Sequence, residues 1–381
     1  MKMEFSTEQH QRQFEFREFV DQVIIPYSHK HDLDERIHPE VLQRLMASGY
    51  LGANLPEKYG GLGADNITLG ILNEEMGRGC SSVRSLFTVH GMVALSILKW
   101  GTENQRQEWL PRMAAGEVLG AFGLTEPNAG SDAKSIETTA LLDGDEYILN
   151  GKKKWITIGQ IANVFLVFAK VEGKPTAFLV ERNQAGLFIE PMFGLLGARA
   201  SMIAELTFDN CRIPKKCLLG QIGAGLSHIA LQCLDYGRYT IACGCVGLAQ
   251  ACLEQSISYS NSRIQFGKPI RENQLIQKMI TEMVVNRKAA RLLCYKAGYL
   301  RDKGDPDSII ETWVAKYYAS TTVNKIASDA IQIHGANGCY RDYPIERFYR
   351  DARINEIIEG TTQIHEALIA TQEFMSDKYA F

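Results

Sequence analysis

The spacing of apolar residues changes twice along this chain, and those changes limit its fold more than any single motif does. Up to about residue 120, apolar positions recur at three and four, as in Val41-Leu42-Leu45-Met46 and Leu69-Ile71-Leu72-Met76. That is the repeat of helices with a buried face. The glycine-rich stretch Tyr59 to Gly63 reads as a loop between them, and Thr88 to Trp100 as a further, largely apolar helix. From 121 to 225 the signal is of strands: Val164 to Phe168, Ala177 to Val180 and Glu205 to Phe208 are short β-type runs. Asn150-Gly151, between Tyr147-Ile148-Leu149 and Lys154 to Thr157, predicts a hairpin turn. Long helical patterns return from 226, with breaks near Gly267-Lys268-Pro269, Gly304-Asp305-Pro306 and Tyr343-Pro344. Long helices on short turns imply an antiparallel bundle. The expected class is therefore α+β, with a helical domain (1–120), a β-barrel or sandwich domain (121–225) and a C-terminal four-helix bundle (226–381).

Composition excludes several functions. A net charge of −3 offers no basic field for nucleic acid or an anionic membrane. Nine cysteines without a C-x-x-C pair suit reduced, mostly buried thiols rather than a disulfide frame or zinc site. No uninterrupted run of about 18 apolar residues suggests a membrane span. The N-terminal MKMEFSTEQHQRQFEF lacks the apolar core of a secretory signal, so a cytoplasmic location is expected. His29, His31 and His38 lack supporting ligand spacing and read as surface histidines, so no metal is expected. Lys152-Lys153-Lys154 reads as a solvated strand edge.

No G-x-G-x-x-G follows a strand, and no phosphate-binding G-x-x-x-x-G-K-[ST] occurs, so a dinucleotide would have to bind without either loop. The glycines of Gly220 to Gly225 have the wrong spacing and read as a strand-to-helix connection. "AFGLTEPNAGSDAKS" (121–135) ends a strand in turn and small polar residues, leaving donors exposed at one rim. Near the other end, "NEIIEGTTQ" (355–363) reads as a helix end, a left-handed stop at Gly360, and a threonine cap for a helix opening at Gln363. Glu359 thus stands at the break between two helices. A solvated junction acid is the ordinary reading; a base facing a cleft is the functional one.

Taken in order, "LTEPNAGSD" (124–132), "KKWIT" (153–157), "LDYGR" (234–238), "RIQFGKPI" (263–270), "QIHGANG" (332–338) and "IIEGTTQ" (357–363) resemble the acyl-CoA dehydrogenase family over essentially the whole chain. The resemblance implies an FAD enzyme of three domains that assembles as a dimer or, more usually in the family, a tetramer. It implies that Phe122, Leu124, Thr125, Gly130, Ser131, Trp155, Ile156 and Thr157 surround the isoalloxazine ring. Arg263, Gln265, Phe266, Gln274, Gln332, Gly335 and Ala336 would hold the adenosine diphosphate half, largely from a neighbouring subunit, and Thr361 and Gln363 would complete the shell. By itself Arg263 is an ordinary surface cation, although its fork suits pyrophosphate oxygens.

The same resemblance makes Glu359 the base that removes an acyl α-proton, with its backbone N–H on the thioester oxygen and the β-hydride leaving to the flavin. A carboxylate in a site emptied of water is raised in pKa and becomes a better base. In this family the base stands either at the Glu-Gly-Thr position or just before the arginine of "LDYGR"; this chain has Glu359 at the first and Gly237 at the second. Ser131, Asp235, Arg238 and Gly360 are implied to border the substrate, although Asp235 and Arg238, three apart, would also suit an intrahelical ion pair.

Three stretches, "CSSVRSLFTVHGM" (80–92), "YGRYTIACGCVG" (236–247) and "EIIEGTTQI" (356–364), resemble most the acyl-carrier-protein dehydrogenases that help to make hydroxymalonyl and methoxymalonyl units for polyketides. Ile358 replaces a tyrosine found there in many catabolic members. Thr88 and His90 either add polarity to a small pocket or are a helix cap and a surface histidine. The alternatives are a short-chain acyl-CoA dehydrogenase of catabolism, with electron-transfer flavoprotein or another acceptor, and a non-catalytic scaffold that binds carrier proteins.

Overall fold

The computed structural model describes residues 4–375; residues 1–3 and 376–381, the outermost parts of the expected first and last domains, lie outside the described residues. The N-terminal helices are Thr7–Phe19 (α1), Ile25–Asp34 (α2), Pro39–Ala47 (α3), Asn66–Gly79 (α4), Ser81–Trp100 (α5) and Glu103–Ala114 (α6). Ser6 opens α1 and Thr102 opens α6, each with a capping box completed by a glutamine. Helix α5 begins seven residues before the expected Thr88, so Thr88 and His90 are buried within it rather than a cap and a surface group. By length and mean hydropathy α5 could cross a membrane, but its apolar residues are interrupted by Arg84 and His90, and 89% of its apolar window is buried inside the protein.

The middle strands are Gly120–Gly123 (β1), Thr139–Asp143 (β2), Glu146–Ile156 (β3), Val164–Val171 (β4), Lys174–Glu181 (β5), Leu187–Pro191 (β6), Ala204–Pro214 (β7) and Leu218–Leu219 (β8). They form one sheet in the order β6-β7-β3-β2-β4-β5-β8, with β1 added parallel to β4. Strand β4 is apolar and buried almost throughout, as a strand covered on both faces must be. The expected Asn150-Gly151 hairpin is absent: β3 runs straight through those residues. Gly151, at φ 143°, lies instead at a register shift against β7, with the Thr138 side chain pressed where a Cβ would go. The real turns fall at Asp143 to Glu146 and at Glu172-Gly173.

Lys153 corrects a second expectation. Strand alternation turns Lys152 and Lys154 toward Glu205, but sends Lys153 inward, where it is 0% exposed. Its Nζ lies 2.5 Å from Glu126 and 3.2 Å from the Leu124 carbonyl. Burial pulls Lys153 down to about 8 against the pull of Glu126. Glu126 also accepts from the backbone of Glu137 and Thr138. The pair ties the 124–132 turn to β3, fixing one wall of the site described below. His31, too, is buried rather than on the surface, beside the Cys80 thiol, whereas His29 is exposed.

The C-terminal part contains Leu231–Ser262 (α7), Gln274–Asp302 (α8), Ser308–His334 (α9), Ile345–Asn355 (α10) and Thr362–Phe374 (α11). Between α7 and α8 a small hairpin, Ile264–Gln265 (β9) and Lys268–Pro269 (β10), turns at Phe266-Gly267, both at positive φ. Helix α7 packs on α4, α5, α8 and α9 and so joins the two helical regions. Glycines allow this closeness: a Cβ on Gly77 would meet the Gly244 carbonyl at 2.3 Å, and one on Gly247 would meet the Glu74 carbonyl at 1.8 Å. All nine cysteines are free, most of them buried, including Cys243 and Cys245.

The buried pair and the surface lysine beside it make a testable contrast. Lys153→Met strands the Glu126 carboxylate and should lower unfolding free energy by about 3 kcal/mol. Lys152→Met should change it by no more than about 0.5 kcal/mol. Urea denaturation of both variants checks the difference; equal effects would contradict the inward placement of Lys153.

Candidate active site

Glu359 stands where α10 has ended and α11 has not begun. Ile357 and Ile358 close the last turn on the Ile354 carbonyl. Glu359 then takes φ 55° and Gly360 φ 100°. A left-handed non-glycine residue costs free energy and persists only when its surroundings hold it. Two cations do so here: Arg238 Nε donates to the Glu359 carbonyl at 3.1 Å, and buried Lys316 Nζ donates to the Gly360 carbonyl at 2.7 Å. Thr361 caps α11 through the Ile364 N–H, one residue earlier than expected, so that Thr362 opens the helix.

The reversed backbone directs the Glu359 side chain back to α7. A Cβ on Gly237 would lie 2.5 Å from Glu359 Oε2 and 2.6 Å from its Cδ. The two positions at which the sequence allowed a base are thus one place in space, filled by Glu359 because residue 237 has no side chain. Oε2 is buried and has no hydrogen-bond partner among the described residues. Burial raises the carboxyl to about 7, against the pull of Arg238, Lys316 and Arg84. Among the described residues the Glu359 N–H has no protein acceptor either.

This carboxylate opens on a cavity of about 500 Å³ between the helical domains and the sheet. Of the residues expected around the flavin ring, Phe122, Leu124, Thr125, Gly130, Ser131, Trp155, Ile156 and Thr157 all line it, as do Arg238, Gly360 and Thr361. A second register shift in β3, between Lys153 and Ile156, leaves Trp155 at φ 63° and half exposed at the cavity wall. Such a bulge re-aims a side chain out of the strand alternation. Polar Thr125, Ser131 and Thr157 beside the faces of Phe122 and Trp155 suit a flat heteroaromatic ring with polar edges.

Asp235 does not line the cavity, and it forms no ion pair with Arg238. Its carboxylate pairs with Arg301 of α8, because the helix turns it toward the bundle while Arg238 faces Glu359. Gln363 is exposed outside the cavity. Arg263, Gln265, Phe266, Gln274, Gln332, Gly335 and Ala336 are all exposed and away from it, Phe266 being 99% exposed at the hairpin tip. They gather at one end of the bundle, where Tyr259 stacks on His334 at 4.2 Å and bonds Asn337. Within one copy these residues do not reach the cavity. His90 is buried outside the cavity, and no cluster of metal-ligating side chains exists among the described residues.

Sequence reasoning missed Arg84 and Lys316. Arg84 sits in the quoted stretch 80–92, and a lone arginine within so apolar a run was the available signal. It lines the cavity yet is 2% exposed.

Comparison with known proteins settles the family. Sequence profiles for the acyl-CoA dehydrogenase N-terminal, middle and C-terminal domains match residues 6–117, 121–211 and 223–374. The chain belongs to the acyl-CoA dehydrogenase family. Among its relatives, a glutaryl-CoA dehydrogenase of Desulfococcus multivorans is 39% identical over 98% of each chain. The butyryl-CoA dehydrogenase of Megasphaera elsdenii superposes with a TM-score of 0.95 at 32% identity, covering 98% of this chain and all of that one. A prolyl acyl carrier protein oxidase superposes at 0.93 with 31% identity over 97% of this chain and all of the other. This family member is an oxidoreductase acting on the CH–CH bond of acyl thioesters, with FAD as cofactor.

The closeness of Gly237 to the carboxylate can be tested in the family enzyme. Gly237→Ala should retain bound flavin but slow its reduction by thioester at least about a hundredfold, because a carboxylate displaced by about 1 Å loses its alignment. Stopped-flow absorbance checks this; an unchanged rate would show that the carboxylate does not occupy the space found here.

Proposed function

We propose that Glu359 is the catalytic base and that the enzyme oxidises a small acyl thioester held on an acyl carrier protein. The juxtaposition of Glu359 with Gly237 carries the reading: an acid whose buried Oε2 has no partner among the described residues opens on the cavity, which can hold a ring and a thioester together. The carboxylate takes the α-proton of the acyl group. As that proton leaves, negative charge grows on the thioester oxygen, where the unused Glu359 N–H can donate to it. FAD supplies the acceptor for the hydride leaving the β-carbon, so that both C–H bonds break as one C=C bond forms. Arg238 and Lys316 hold the carbonyls of Glu359 and Gly360 and favour the ionised form of the base.

The carrier-bound, three-carbon substrate class rests on the resemblance of stretches 80–92, 236–247 and 356–364 to the enzymes of hydroxymalonyl and methoxymalonyl unit formation. It also fits the likeness to a carrier-protein oxidase. Likeness to butyryl-CoA dehydrogenase favours a second reading, a short-chain acyl-CoA dehydrogenase of catabolism. In either reading a second copy of the chain supplies Arg263, Gln265, Phe266 and the Gln332 to Ala336 turn to the adenosine end of FAD, which accounts for their exposure here.

Glu359→Gln should keep its yellow flavin and lose reduction by thioester by several orders of magnitude. In the wild type, reduction requires the ionised carboxylate, so the rate should rise with pH through about 7 and then level off. Rapid bleaching in Glu359→Gln would remove the base from this account. Comparing carrier-bound hydroxylated three-carbon thioesters with butyryl-CoA decides the substrate class: reduction by butyryl-CoA alone selects the catabolic reading.

A further inference from the structure

A second cavity, of about 310 Å³, lies apart from the catalytic one and is lined by His29 of α2 with Asp342, Pro344 and Arg347. Arg347 is only 7% exposed, yet its guanidinium makes no hydrogen bond and no ion pair among the described residues. Its carbon lies 4.9 Å from the centre of the Phe348 ring. The nearby acids of α2 and α10 are engaged elsewhere. Arg350 takes the carboxylates of Asp32 and Glu346, and Asp351 Oδ1 accepts from the Ala198 N–H at 2.6 Å. The unbalanced charge is felt nearby: burial, and then Arg347, hold His31 down to about 4. A guanidinium carries five N–H donors, and burying them without acceptors is costly.

Arg347 stands in the first turn of α10, whose cap residue is Pro344. A proline side chain cannot accept a hydrogen bond. The N–H groups of Ile345, Glu346 and Arg347 have no acceptor among the described residues either. A helix end of this kind attracts anions, phosphates above all. Here it adjoins a free guanidinium at one cavity. Asp342 narrows the class further, because a carboxylate repels a bare anion but accepts from a hydroxyl beside it. The volume is that of a small-ligand pocket rather than of a single ion.

We propose that this cavity is a second ligand site, for a small hydroxylated phosphate ester, with Arg347 and the start of α10 on the phosphate and Asp342 on a hydroxyl. Ile354 and Asn355, at the other end of α10, line the catalytic cavity. The two sites are thus separated by about 15 Å of helix, and the proposal does not depend on the role of Glu359.

The test is calorimetric titration of the flavin-loaded enzyme, in a buffer free of phosphate, with glycerol phosphate, AMP and inorganic phosphate. At least one of the two esters should bind more tightly than inorganic phosphate. Preference for AMP identifies a nucleotide and preference for glycerol phosphate a simpler ester; either supports the site. Arg347→Met should weaken every phosphate at least about tenfold. Asp342→Asn should separate them, weakening the preferred ester while tightening inorganic phosphate about threefold. Asp342 is exposed, so this variant serves if Arg347→Met fails to fold. Saturating butyryl-CoA should leave the affinities unchanged. The proposal is overturned by an absence of binding, by equal affinity for all three ligands, or by an Asp342→Asn effect of one sign on all of them. Competition with butyryl-CoA, or binding found only after the flavin is removed, would place the ligand in the thioester or cofactor site and overturn it too.

Discussion

A carboxylate held without a partner against the bare backbone of a helix is the constraint on which the rest depends. Glu359 is left-handed, its Oε2 is buried, and residue 237 must be glycine for the side chain to fit. None of these conditions is favourable alone. They hold together because Arg238 of α7 and Lys316 of α9 grip the two carbonyls of the turn. Each of the two helices is fixed in turn by its packing in the bundle. The bundle can therefore be seen as the frame that keeps one acid dry.

The sheet has a different part. Its two register shifts in β3 and the Lys153–Glu126 pair bring Trp155 and the 124–132 turn to the cavity from the side opposite α7. Helix α5 closes the remaining side and carries Arg84. Two regions of helical period and the strand region between them thus each contribute to the cavity, and a flat ring and an acyl group can be enclosed without a phosphate-binding glycine loop.

The order of those regions and many of the residues that line the cavity were legible in the sequence, because period and motif are local signals. Glu359 was legible through its glycine and threonine neighbours, and Gly237 through the family's two positions for the base. What escaped depends on which way a side chain turns in the folded molecule. Asn150-Gly151 has the composition of a turn, but Thr138 and β7 hold it in a strand as an irregularity. Lys153 follows strand alternation inward because Glu126, 27 residues earlier, waits there. Asp235 could pair with Arg238 one turn on, yet Arg301 of α8 takes it. The exposed Phe266 hairpin lies away from the cavity within one copy, and its expected part in holding the cofactor rests on the resemblance alone.

The most direct measurement is an infrared difference titration of the Glu359 carboxyl in the flavin-loaded enzyme, with Glu359→Gln as the blank. The account predicts that the band of the protonated acid disappears with a midpoint near 7. A midpoint at the ordinary glutamate value of about 4.3 would show an acid open to water, and would contradict it.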